Sequence, residues 1–262
     1  MAREFSRETF LGLLGGTTLR YGQPLRVTAQ TVSTNDDALV ALKAGAQAGS
    51  LFVAERQTGG RGRHGRHWHS APGDSLTFSL IVKPQIQNDR LSVVTLAAGL
   101  AVRDALVAHG ASELLLKWPN DVVHQQRKLV GILVEKPGTS DPHDSAVVVG
   151  VGINVGAAAI PPELVHQATA LAQLTVQIPA RELLLVTVLQ QLERRIGQLE
   201  STGFSTLLPD IRACDALRGN WVTVEGRRGQ ACGIGDGGEL LVDFSGRLES
   251  VTAGTVLFAQ QH

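Results

Sequence analysis

The chain has little cysteine, little lysine, few aromatic residues and no net charge. Two cysteines, Cys214 and Cys232, in 262 residues are too few for a disulfide scaffold or a thiolate metal cluster, and they suit a reducing cytosol. Lysine and arginine together number 24, against 24 aspartates and glutamates. That balance removes any global field that would draw in nucleic acid or an anionic membrane. No window comes near the roughly eighteen apolar residues of a membrane span, and the opening MAREFSRETFLGLLGG has too short an apolar run for a signal peptide. A cytoplasmic protein without membrane contact is the expectation. There is no Gly-x-Ser-x-Gly elbow and no Walker A sequence, and neither cysteine has a histidine close by. Nucleophilic catalysis by a side chain is therefore not suggested. Histidines 64, 67 and 69 stand close together, but the arginines among them repel a cation, which argues against zinc.

What is present is a sizeable core. Hydrophobic residues make up 43% and charged residues 18%, which excludes disorder as the dominant state. Leu25 to Val32 reads as a strand, and Thr34 to Gly45 as a helix opened by the cap-forming Ser33, Thr34 and Asn35. Leu51 to Gln57 and Ser75 to Val82 read as strands. An alanine-rich helix from Leu91 to His109 follows, with Gly110 as its stop. Further strands are expected at Leu114 to Trp118, Lys128 to Glu135 and Ala146 to Val155, the last a nearly continuous apolar run typical of a buried sheet centre. Glu182 to Leu199 has helical spacing. The strands between 114 and 155 leave no room for intervening helices, so the class is α+β with a mixed sheet. From about Leu217 short β runs (Trp221 to Val224, Leu240 to Phe244, Glu249 to Thr252, Val256 to Phe258) separated by glycine-rich turns read as a small antiparallel barrel. The expected division is a main domain over 1–216 and a β domain over 217–262.

Four clusters could carry chemistry. The loop from Gln57 to Gly73 holds Gly60-Arg61-Gly62-Arg63-His64-Gly65-Arg66-His67-Trp68. Glycines let backbone approach a ligand closely, and arginine forks suit carboxylate or phosphate. Like charges, with only Trp68 to hold them down, should leave this loop mobile when empty. Its plain alternative is a solvated basic hairpin. The glycine spacing imitates a dinucleotide fingerprint, but no helix follows it. Lys117-Trp118-Pro119-Asn120-Asp121 places a lysine at a strand end before a proline-fixed turn. Lysine could meet a phosphate there, with Asp121 orienting it or approaching magnesium; a simple strand-ending turn is the alternative. In Lys128-Leu129-Val130-Gly131-Ile132-Leu133-Val134-Glu135 the glycine marks close approach by a ligand, unless Lys128 merely blunts a sheet edge. In Gly150-Val151-Gly152-Ile153-Asn154 the final amide could read a base or sugar, or cap the strand.

Together, in this order, these blocks and Ser33-Thr34-Asn35 resemble the biotin protein ligases (biotin–acetyl-CoA-carboxylase ligases) from about Ser33 to Asn154. The β tail suits that family's C-terminal SH3-like domain. The resemblance implies a class II synthetase-like catalytic domain of the biotin/lipoate ligase type, and a two-step reaction. Biotin carboxylate attacks the α-phosphate of magnesium ATP to give biotinyl-5′-AMP and diphosphate. A lysine of the biotin carboxyl carrier protein of acetyl-CoA carboxylase then attacks the mixed anhydride and releases AMP. The implied ligands are ATP, Mg2+ and biotin, the last a substrate. Carried over by motif, Ser33, Thr34, Asn35 and Gln57 hold the ureido end of biotin. Gly60, Arg61, Gly62 and Arg63 close over it, and Gly131 and Lys128 border it. Lys128, Arg63 and Lys117 are the implied catalytic cations, although the two lysines could exchange roles. Arg63, Arg66, Lys117, Asn120 and Asn154 face the nucleotide, Trp68 stacks on adenine, and Asp121 is the candidate Mg2+ contact. Biotin should bind first, since the closed loop helps build the ATP site.

His64 departs from an arginine common at that position. Some relatives carry an N-terminal winged helix-turn-helix and double as repressors, and the thirty or so residues before Ser33 cannot hold one. No operator binding is therefore expected. An exposed sheet edge would allow a homodimer. Two competing readings are a lipoate ligase or octanoyl transferase of related fold, and a nucleic-acid-binding module. The glycine–arginine and Lys-Trp-Pro-Asn-Asp blocks oppose the first. Against the second, segment 217–262 has one more carboxylate than guanidinium, unlike a phosphate-tracking groove.

Overall fold

The computed structural model describes residues 3–86, 91–138 and 145–259. In chain order come α1 (Arg7–Gly15), β1 (Leu25–Thr31), α2 (Thr34–Lys43), β2 (Leu51–Gln57), β3 (Ser75–Val82) and α3 (Leu91–Ala108). Then follow β4 (Leu114–Lys117), β5 (Asp121–His124), β6 (Arg127–Glu135), β7 (Val147–Asn154), α4 (Arg181–Thr202) and α5 (Leu208–Ala213). The remaining strands are β8 (Trp221–Val224), β9 (Arg227–Ile234), β10 (Leu240–Phe244), β11 (Arg247–Val251) and β12 (Val256–Phe258). The first seven strands form one sheet in the order β1-β2-β3-β7-β6-β5-β4. Only β1 and β2 are parallel, with α2 as their crossover, and the other neighbours are antiparallel. Two strands escape the sequence reading. β5 begins at Asp121 itself, so the Pro-Asn pair turns a hairpin instead of ending the sheet. β9 mixes arginines with glycines and so lacks an apolar alternation.

Strand β3 shows how sequence divides the two faces. Side chains alternate along a strand, so Ser75, Thr77 and Ser79 point one way and Leu76, Phe78 and Leu80 the other. Register sets Ser75, Thr77 and Ser79 opposite Asn154, Gly152 and Gly150 of β7. Gly152 and Gly150 in turn lie opposite Gly131 and Leu133 of β6. One face therefore carries a strip of small and polar residues. The other is apolar, with Leu76, Phe78, Leu80, Val149 and Ile132 fully or almost fully buried, each such side chain contributing about 2–3 kcal/mol by leaving water. α3 and α4 share that apolar core. α2 covers part of the opposite face through Ala38, packed with Phe52, Ile81 and Val148.

The last five strands form an antiparallel sheet in the order β11-β10-β9-β8-β12. It is tied to the rest of the chain by polar contacts as well as by a continuous apolar core. The Trp118 indole donates to the Gly238 carbonyl at 2.9 Å, and Arg212 donates to the Ile234 carbonyl at 2.8 Å.

The roots of the glycine–arginine loop are fixed by a buried ion pair. Arg181, at the start of α4, donates to Glu55 near the end of β2 at 3.0 and 2.8 Å and to the Ser75 carbonyl at 2.9 Å. Glu55 also accepts the backbone N–H groups of Gly73, at the far end of the loop, and Phe5. Burial by itself would push the Glu55 carboxyl up, but the Arg181 and Phe5 hydrogen bonds outweigh it and hold the group below its ordinary value. Stability from a depressed carboxyl is present above the unfolded pKa of about 4.3 and is lost as pH falls through the lower folded value. Arg181→Ala, which strands the carboxylate, should cost about 3–5 kcal/mol in denaturant unfolding near neutral pH. The gap from wild type should narrow as the solution is made acid enough to protonate Glu55.

Candidate active site

One row of cross-strand partners carries the site: Thr77, Gly152, Gly131, Asp121 and Lys117, on β3, β7, β6, β5 and β4. At its middle the two glycines make a bare patch, and the Trp68 indole lies over it. A Cβ at Gly152 would overlap the indole, and one at Gly131 would sit 3.0 Å from it. The Lys128 side chain also crosses Gly131, because a β-bulge between Val122 and Val123 offsets this end of β6. Lys128 Nζ is 2.7 Å from Asp121 Oδ1 and 5.6 Å from the Trp68 ring. The Trp68 Nε1 proton is buried with no partner among the described residues.

On one side of Trp68 lies a narrow pocket lined by Ser33, Thr34, Asn35, Gln57, Arg61 and Gly62, with the glycines of β6 and β7 as its floor. Its polar groups are fixed. Gln57 Oε1 accepts from the Thr34 N–H at 2.8 Å and hydroxyl at 3.1 Å. Ser79 Oγ lies 2.7 Å from Thr34 Oγ1 and 2.5 Å from Asn35 Oδ1. Asn35 donates to Glu135 at 2.7 Å and to the Leu133 carbonyl at 3.2 Å. Ser33 occupies the N-cap position of α2 but makes no side-chain cap bond. Its hydroxyl belongs to the pocket wall, so the capping expected from sequence is corrected here.

On the other side of Trp68 a cleft of about 720 Å³ is lined by Arg63, Arg66, Lys117, Asn120, Asp121 and Lys128. Burial pulls Lys117 below its ordinary pKa; Asp121 opposes this, and Lys128 and Arg66 add to it. Burial likewise lowers Arg63, which Asp121 partly offsets. Cations destabilised by burial and mutual repulsion gain most from an incoming anion. The smaller sheet reaches this cleft: Arg66 donates to Thr255 Oγ1 at 2.8 Å, and Lys117 Nζ stands 5.3 Å from the Phe258 ring. Beside it an apolar slot is lined by Trp68, Ile160, Leu164 and Ala168, with Asn154 at its edge. Asn154 donates to the Thr169 carbonyl at 3.1 Å, and Asn120 donates to the Ile132 carbonyl at 2.8 Å. No group of three or more histidine, cysteine or acidic side chains suited to a metal occurs among the described residues. Asp121 alone, paired with Lys128, is not a cage for a resident ion.

The profile of the Biotin/lipoate A/B protein ligase family matches residues 27–154. A Mycobacterium tuberculosis protein, biotin–[acetyl-CoA-carboxylase] ligase, is 40% identical over 243 residues, covering 89% of this chain and 88% of that protein. The chain belongs to the biotin protein ligase family. The Bacillus subtilis bifunctional ligase/repressor BirA is 30% identical over 260 residues, covering 92% of this chain and 78% of that one. In structure, the Aquifex aeolicus biotin protein ligase in complex with biotin and ATP superposes with a TM-score of 0.80 at 28% identity, over 92% of this chain and 100% of that one.

Within this family member, the structure brings Ser33, Thr34, Asn35, Gln57, Arg61, Gly62, Lys128 and Gly131 to one pocket. Arg63, Arg66, Lys117, Asn120 and Asp121 gather at the adjoining cleft. Gly60 lies behind the pocket, where a Cβ would press on the Trp68 carbonyl and the Gln57 amide. The loop is held by its own backbone and by an ion pair. Gly62 donates to Arg66 and Trp68 to Gly60 along the backbone, at 2.7 and 2.8 Å, and Arg61 pairs with Asp36. Neutralisation of that arginine offsets the like-charge repulsion. Ser79, Asp36, Thr255 and Phe258 gave no sequence signal; only the serine–glycine alternation of β3 and β7 could have flagged Ser79. Gly152→Ala should expel the indole from the sheet, seen as a shift in tryptophan emission with the fold retained.

Proposed function

We propose that the chain activates biotin with ATP and transfers it to a lysine of a biotin carboxyl carrier protein. The observation that carries this reading is the meeting, at Lys128 and Trp68, of a cationic cleft and a pocket of hydroxyls and amides whose Arg61 is already paired. Ser33, Thr34, Asn35 and Gln57 supply the donors and acceptors that a ureido group needs, and the glycine floor admits a flat apolar ring system. Biotin would extend its carboxylate toward Lys128, while ATP would lie in the cleft with its adenine in the apolar slot against Trp68 and beside Asn154. The triphosphate would meet Arg63, Arg66 and Lys117. Magnesium enters with ATP as part of that substrate.

The first step brings two anions together. Carboxylate oxygen attacks the α-phosphorus, the bond to the β-phosphate oxygen breaks, and diphosphate leaves. Fixed cations stabilise the charge that builds up on the phosphoryl oxygens, in a site that needs no reorganisation at that moment. Holding both reactants in line supplies the remaining advantage. In the second step the neutral lysine amine of the carrier attacks the biotinyl carbonyl, AMP leaves, and the amine loses a proton. Asp121 holds the Lys128 ammonium by its ion pair in both steps. The loop over the pocket keeps water from the anhydride. We assign residues 1–216 to catalysis and 217–262 to a β domain that props Arg66 and Lys117.

Purified carrier domain incubated with this protein, biotin and magnesium ATP should gain one biotinyl group by intact mass. Lys128→Ala should slow that gain by about 10²–10³. Lipoate transfer in place of biotin would overturn the reading in favour of the lipoyl enzymes.

A further inference from the structure

Arg61 and Arg63 stand two residues apart in the same motif but in opposite electrostatic surroundings. The Arg63 guanidinium has no hydrogen bond or ion pair among the described residues and faces the cleft. The Arg61 guanidinium is already neutralised. Its Nη1 donates to Asp36 Oδ2 at 2.8 Å, its Nη2 lies 2.6 Å from Asp36 Oδ1, and both Glu135 oxygens are 3.4 Å from Nη2. A carboxylate or phosphate approaching this guanidinium would meet two negative charges first. Arg61 is thus a poor anion ligand and a good fastener.

Its two partners belong to the pocket wall. Asp36 follows Asn35 in the first turn of α2, and Glu135 ends β6. Glu135 Oε2 also accepts from Asn35 Nδ2 at 2.7 Å. A single carboxylate therefore holds both a side chain of the pocket and the loop that covers it. The hold extends along the loop: Arg61 bridges to His67 through the backbone, and the Trp68 N–H donates to the Gly60 carbonyl at 2.8 Å.

We propose that Asp36 and Glu135 form an electrostatic latch for Arg61 that keeps the glycine–arginine loop closed over the biotin pocket. The proposal rests on the ligase reading above, and it makes Arg61, Asp36 and Glu135 positioning residues. Glu135 holds Asn35 of the pocket and, through Arg61, the loop, so that binding and closure are coupled through one carboxylate. All three side chains are partly exposed, so the latch is screened by salt.

Four proteins test it: wild type, Arg61→Gln, the double variant Asp36→Asn/Glu135→Gln, and all three changes together. The two introduced amides keep the shape of the carboxylates they replace, and an amide oxygen can still accept from Asn35, so folding is preserved and only charge is lost. Biotin dissociation followed by tryptophan fluorescence should be about threefold to tenfold faster in Arg61→Gln and in the double variant. The triple variant should be no faster than Arg61→Gln, since the groups act as one unit. Added salt should speed dissociation from wild type and leave the variants unchanged. At saturating biotin, adenylate formation should be slowed by a smaller factor than the one by which dissociation is speeded. Multiplicative effects in the triple variant, or a kcat loss in Arg61→Gln with unchanged dissociation, would overturn the latch. If wild type itself binds no biotin, the ligase reading fails and the latch falls with it.

Discussion

Gly131 and Gly152 face each other across β6 and β7, and the Trp68 indole lies where their side chains would stand. The site depends on that bare patch. Because the patch is bare, an indole on a loop otherwise made of glycine, arginine and histidine can rest on the sheet and divide the surface into two compartments. Because it is bare, the Lys128 stem can also cross Gly131 and set its ammonium against Asp121. Any larger side chain at either position would lift the loop and push the lysine aside. The glycines supply absence of volume, which is why two of them occur in a central pair of strands where they weaken the sheet.

Around the patch, charge is placed asymmetrically. The pocket side is neutral or closed by paired charge: Ser33, Thr34, Gln57 and Asn35, with Arg61 neutralised by Asp36 and Glu135. The cleft side holds cations in excess, with Lys117 and Arg63 pulled down by burial. On the proposed reading, a neutral ring system and a polyanion would be sorted into neighbouring compartments that meet at Lys128. Two anionic groups that repel in water would be brought into contact by cations whose own repulsion the ligands relieve. The smaller sheet takes part by contact with those cations, through Thr255 on Arg66 and Phe258 beside Lys117.

Sequence made much of the secondary structure legible, because long segments carry one period throughout. β2, β3, β8 and β12 have the bounds that alternation and turn residues mark, and α2, α3 and α4 are displaced by only a few residues at their ends. The residues of the five motifs could be named from spacing and family resemblance. What could not be read was register. That Lys117, Asp121, Gly131 and Gly152 form one row follows from hairpin geometry and a bulge, both decided by pairing across strands. For β7 the apolar run concealed an alternation of valine and glycine that divides core from site. The ion-pair partners Asp36 and Glu135 were invisible for the same reason: a carboxylate in a first helical turn looks like ordinary dipole compensation. The loop's charges were summed without the carboxylates that face them: Arg61 is paired with Asp36 and Glu135.

The central claim is that Lys128 acts on charge in the reacting groups and does little for the affinity of biotin alone. Biotin-dependent exchange of labelled diphosphate into ATP isolates the first step. With biotin saturating, Lys128→Ala should exchange label slower by about 10²–10³ while its biotin affinity falls far less. Normal exchange at saturation, with the whole defect in biotin affinity, would contradict the account and reduce Lys128 to a binding residue.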